Sequence, residues 1–171
     1  MIKKINYFAV LLLLIIFNQC GYRLTGTGKH IPDYIKTIVI PDFVNKTTRY
    51  QAEQFVTSAL RQEFIRRSKL ILVDRVSKAD STLEGDINRF DVIPVSYSSD
   101  ATANLYRITI VLNVRFIDIK TGKIIFENNN LSFTDTYDIG TGDFFSQETE
   151  TLIKISKEFA SSIVSTILEN F

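Results

Sequence analysis

The chain has 171 residues with 20 basic and 19 acidic side chains, a single cysteine and a single histidine. A formal charge of +1 gives no bulk attraction to nucleic acid. One cysteine allows no internal disulfide, and one histidine leaves little for metal binding or for activating a nucleophile.

The first twenty residues form a unit of their own. Lys3 and Lys4 precede an unbroken apolar run of ten residues, Phe8 to Phe17. Ten helical residues rise about 15 Å, half the thickness of a bilayer core, so the run reads as a removable secretory signal. Cys20 follows it directly, in Phe17-Asn18-Gln19-Cys20-Gly21. This placement resembles a bacterial lipoprotein signal, although Gln19 stands where that pattern has a small residue. The resemblance implies that residues 1–19 are removed and that Cys20 is acylated, holding the protein to a membrane through acyl chains.

Residues 20–36 carry three glycines and a proline and are expected to form an extended leader. Thr37 to Ile40 is β-branched and stops at Pro41, which predicts a short strand. Thr48 with Gln51 fits a capping box and predicts a helix from about Arg49. Ala52, Phe55, Val56, Ala59, Leu60 and Phe64 would form its buried stripe, and Arg66, Arg67 and Lys69 its basic end. Leu70 to Val73 reads as a short buried strand reached by a parallel crossover.

The second half reads as sheet. Leu83 and Ile87 share a parity that Phe90 and Val92 reverse, which predicts a bulge near Arg89. Pro94 to Ala103 reads as a polar loop. From Leu105 to Ile119, Tyr106, Ile108, Ile110, Leu112, Val114 and Phe116 occupy one face, while Arg107, Thr109, Asn113 and Arg115 dominate the other. That alternation predicts one face under helices and one free for water or a partner. Asp118 to Lys123 is a hairpin turn, and Ile124 to Tyr137 returns with a distortion at Asn128-Asn129-Asn130. Gly140 to Asp143 breaks the chain before a terminal helix. Its core line is Leu152, Ile155, Phe159, Ile163 and Ile167, widened by Ala160, Val164 and Phe171, with Glu148 and Glu150 near its positive end.

Residues 37–171 are therefore expected to be one α+β domain, a mixed sheet of four to five strands with two helices on one face. No cofactor, metal site or catalytic constellation is indicated, so the expected work is binding, not catalysis. Candidate anion-binding side chains are Lys46, Arg49, Arg66 and Arg67, because arginine forks suit phosphates. Arg107 and Arg115 lie about 26 Å apart along their strand, too far to form one clamp. Their face, with Thr109 and Asn113, is expected to meet protein.

Several blocks in order resemble the lipopolysaccharide-assembly lipoproteins (the LptE-like family). They are Cys20-Gly21-Tyr22-Arg23-Leu24, Ile38 to Thr47, Leu72-Val73-Asp74-Arg75, Leu83-Glu84-Gly85-Asp86-Ile87 and Thr121 to Asn128. The resemblance implies an outer-membrane lipoprotein on the periplasmic side, lodged in an LptD-type β-barrel that it helps assemble, and binding lipopolysaccharide in transit. It transfers only Cys20 residue by residue. A second resemblance, to periplasmic lipoproteins of the curli-secretion and penicillin-binding-protein-activator type, rests on the strand ending in Pro41-Asp42-Phe43-Val44-Asn45-Lys46-Thr47.

Overall fold

A computed structural model describes residues 31–139 and 143–169. Cys20, most of the leader, Gly140 to Gly142 and Phe171 lie outside the described residues. The strands are β1 (Thr37–Val39), β2 (Val44–Asn45), β3 (Ile71–Leu72), β4 (Ser81–Tyr97), β5 (Ala103–Asp118) and β6 (Ile124–Asp138). The helices are α1 (Ala52–Arg67) and α2 (Phe144–Glu169), with a 3-10 turn at Val76–Lys78. The sheet runs β3-β1-β4-β5-β6, with β2 also beside β4. It is mixed, as expected: β1, β2 and β3 join by parallel pairings, and β4, β5 and β6 form an antiparallel meander. The six strands exceed the expected four or five because β2 is a two-residue pairing, too short to leave an alternation pattern in the sequence.

The alternation of β5 holds throughout. Ile108, Ile110, Leu112, Val114 and Phe116 are buried and Tyr106 packs against the same core. The parity change in β4 is a bulge between Ile87 and Arg89, and the asparagine run of β6 distorts the register opposite Leu112 and Val114. Over this face lie the two helices, with Val56, Leu60 and Phe64 of α1 and Leu152, Ile155, Phe159, Ile163 and Ile167 of α2 in one cluster. The helices run parallel. Arg49, just before α1, reaches Thr149 at 3.0 Å, and Arg67 at its end reaches Ser165 and Glu169.

Three local expectations are corrected. The first helix starts at Ala52, not Arg49, because Asn45 captures the preceding backbone: its Nδ2 donates to Arg49 O (2.8 Å) and its Oδ1 accepts from Thr47 N (3.0 Å). Gln51 then turns into α1 with φ 64° and no side-chain cap. β3 is an edge strand, with Ile71 64% exposed, and not a buried one. β4 continues through Pro94 to Tyr97, so the loop shrinks to residues 98–102. Past Ile87 only β5 pairs with β4, and a proline is admitted on the open edge.

Gly85 is closely packed. It pairs with Val114 on the core face, and the Phe43 ring lies over it. A Cβ there would stand 2.5 Å from Phe43 Cε2 and closer still to the Asn113 carbonyl oxygen. Gly85→Ala is expected to cost about 1–3 kcal/mol by overpacking, toward the upper figure because a backbone atom cannot swing aside. Urea unfolding should show a lowered midpoint with little change in slope; an unchanged midpoint would mean that Phe43 does not sit there.

Candidate binding surfaces

The sheet face away from the helices is polar and open. Arg107, Thr109, Asn113 and Arg115 of β5 all lie on it, and none is buried. Their neighbours tie them unequally. Arg115 Nη2 donates to Glu84 Oε1 at 2.9 Å, and Thr109 Oγ1 lies 3.2 Å from Thr134 Oγ1. Asn113 Oδ1 accepts from Asp86 N at 2.6 Å, opposite the asparagine distortion. Arg107, between Ile93 and Thr136, has no ion-pair partner among the described residues.

The other candidate cations are spread around the domain. Lys46 Nζ lies 3.2 Å from Asp86 Oδ2 and is 53% exposed. Burial acts to raise the Asp86 carboxyl, but hydrogen bonding from Asn113 and the Lys46 ammonium outweigh it and hold it below the usual range. Arg66 grips Glu63 with both Nε (3.0 Å) and Nη2 (2.5 Å). It borders a groove of about 420 Å³ between the helices, beside Ala59, Lys157, Ala160 and Ser161. Arg67 spans to α2, contacting Ser165 and Glu169. Lys46 and Arg49 are thus close, while Arg66 and Arg67 stand at the opposite end of α1.

Arg49 is committed internally. Its Nε lies 2.5 Å from Glu148 Oε1, at an angle outside hydrogen-bonding geometry, with the two side chains only 21% and 7% exposed. Beside them Tyr137 stacks on Tyr106 (5.6 Å). Its phenol is pushed up to about 12 by burial, with the Glu148 carboxylate adding to the effect. Glu148 escapes a reading for helix-end charge, yet it stands four residues before Leu152 on the core line; an acid on an apolar stripe signals a buried cation.

A second buried acid, Asp118, continues the even parity of β5 beyond Phe116. It accepts from the Tyr34 hydroxyl, from Thr121 Oγ1 (2.5 Å) and from Lys120 N (2.9 Å). Burial acts to raise its pKa, but these donors outweigh it and keep the carboxylate charged below the usual range. Asp80 similarly accepts from Lys36 N and Thr37 N, both at 2.9 Å. Both acids stitch the segment before β1 to the sheet. Ile35 is buried there, so the end of the leader packs into the domain.

Among the described residues no cluster of His, Cys, Asp and Glu is placed to hold a metal ion, and no helix is long and apolar enough to cross a membrane.

Solved structures share this architecture. A Xanthomonas campestris protein aligns with TM-score 0.56 at 14% identity, over 82% of this chain and 89% of its own. Lipoprotein B from Nitrosomonas europaea aligns with TM-score 0.52 at 15% identity, over 87% and 96%. A PelC dodecamer from Paraburkholderia phytofirmans aligns with TM-score 0.51 at 11% identity, over 77% and 86%. No curated protein matches by sequence. The fold is thus a small α+β domain of a kind that bacterial lipoproteins also use. The model of the LptE family, lipopolysaccharide-assembly, matches residues 35–167, and the chain belongs to that family. The family is one of lipopolysaccharide-assembly lipoproteins and is non-enzymatic.

Proposed function

We propose that this chain is an outer-membrane lipoprotein, acylated at Cys20, that lodges inside an LptD-type β-barrel, assists its assembly and binds lipopolysaccharide on its way to the cell surface. The family membership supports the pathway. The observation that carries the plug reading is the open face of β5, a polar surface on one side of a strand whose other side is fully given to the core. A water-filled barrel interior is itself polar and complements such a face.

Lipopolysaccharide phosphates are assigned to Lys46, Arg66 and Arg67, which keep part of their charge at the surface. Arg49 serves chiefly to neutralise Glu148.

Affinity purification from detergent-extracted envelopes is expected to bring down a large β-barrel in equal amount, with photo-crosslinkers at Thr109 and Asn113 attaching to it. A homo-oligomeric ring, or retrieval of a cell-wall synthase alone, would replace this reading with the curli-secretion or penicillin-binding-protein-activator one.

A further inference from the structure

One end of the domain concentrates positive charge. Lys36 precedes β1 and accepts, through its carbonyl, the Ile71 N–H at 2.9 Å, which brings the Lys69 to Ile71 segment alongside. Thr37 Oγ1 donates to Lys78 O (3.2 Å), and Lys78 N donates to Arg75 O (3.0 Å). Ile119 N donates to Asp80 O (2.9 Å), and Lys120 stands over the Tyr34 ring at 5.4 Å. Asp118 N donates to Lys123 O across the β5–β6 turn. These bonds gather Lys36, Lys69, Arg75, Lys78, Lys120 and Lys123 around one rim, and all six are exposed.

The acids of this end do not cancel them. Asp80 and Asp118 point inward onto backbone N–H groups and hydroxyls. Asp74 is shared between Arg75 (3.4 Å) and Lys78 (3.5 Å). Asp33 is the other exposed acid. Arg66 and Arg67 balance Glu63 and Glu169. Lys36, Lys69 and Lys123 have no ion-pair partner among the described residues. Between the cations stand exposed apolar side chains, Ile71 and, 57% exposed, Val76.

The chain enters the domain at this same end. Ten residues separate Cys20 from Ile31, a span of at most about 40 Å fully extended. We infer that this basic, apolar-studded rim docks on the anionic phospholipid surface of the leaflet that holds the anchor. The inference rests on the lipid-anchored reading of Cys20. Basic side chains near a leaflet are drawn to its negative surface potential, and isolated apolar ones enter the headgroup boundary. Acyl chains would supply retention, and the rim would supply orientation, setting the domain upright on its helix C-terminal end.

The test uses the mature chain, residues 20–171, carrying Cys20→Ser so that no acyl chain contributes. It is sedimented with phosphatidylcholine vesicles containing about one-third phosphatidylglycerol. Partitioning is expected onto these vesicles, not onto pure phosphatidylcholine, and should be lost at about 0.5 M salt. The triple variant Lys36→Glu/Lys69→Glu/Lys123→Glu should weaken it at least about tenfold. A double charge-reversal control, Arg89→Glu/Lys157→Glu, lies away from the rim and should leave binding within about twofold. If the triple variant fails to fold, Lys123→Glu alone, in an exposed turn, should still weaken binding about threefold. Equal binding to neutral vesicles, no binding to either, or an equal loss in the control overturns the inference. Binding only when lipopolysaccharide is added to the vesicles also overturns it, by assigning the rim to cargo. Because the assay contains no barrel, its failure leaves the translocon reading standing, and failure to retrieve a barrel leaves this one standing.

Discussion

Replacing Phe116 by alanine is expected to cost about 3–5 kcal/mol, whereas alanine at its neighbour Arg115 should cost at most about 1 kcal/mol. Phe116 is 0% exposed, between Leu83 on β4 and Phe126 on β6, and it belongs to the largest side chains of the core. A ring deleted there leaves a void that three strands and two helices cannot close together. Arg115 is one residue away and faces the other way, bonded only to a half-exposed Glu84. The contrast tests strand register directly, since a slip of one residue would exchange the two faces. Urea denaturation of both variants decides it, and similar losses would sink the register.

The second large effect is expected at the Arg49–Glu148 pair. Arg49→Ala should cost about 3–5 kcal/mol, because it leaves the Glu148 carboxylate buried without its cation. Replacing both partners by apolar residues of similar size, as in Arg49→Met/Glu148→Leu, should recover most of that loss, since no buried charge then remains. The double-mutant cycle therefore has a sign: the pair variant is more stable than the Arg49→Ala single variant. Should all variants match the parent protein, the pair is solvated in solution and Glu148 is not enclosed. A lipopolysaccharide-binding defect in Arg49→Ala has to be read against this loss of stability.

The parts of the fold that could be read beforehand are those in which one rule acts alone. Strand β5 is legible because six alternate apolar residues admit only a half-buried strand. The bulge at Arg89 is legible because a parity change within a strand has few other causes. Helix α2 shows its core line for the same reason. Legibility fails where a side chain overrides a local propensity. Asn45 ties down the backbone that Thr48 and Gln51 mark as a helix start. Pro94 reads as a loop residue, and only the open edge of β4, a tertiary fact, lets the strand run through it. The hydrophobic run at Leu70 to Val73 reads as interior, but nothing pairs beyond β3, so Ile71 faces solvent. The candidate surfaces divide likewise. The polar face of β5 could be named from alternation, whereas the basic rim draws on four separate segments that only the folded chain brings together.

Strand β1 sits inside the parallel half of the sheet, between β3 and β4. Its three residues pair with Ile71–Leu72 on one side and Ser81–Thr82 on the other. Both flanks thus come from chain made more than thirty residues later. In a chain made from its N-terminus, the earliest part of the domain to appear has neither neighbour yet. Its backbone N–H and carbonyl groups stay with water until the crossover returns, while β4, β5 and β6 each meet a neighbour through a short turn. The sheet cannot be assembled in the order in which its chain is made: the first strand must wait with both edges bare for the middle of the chain to come back to it.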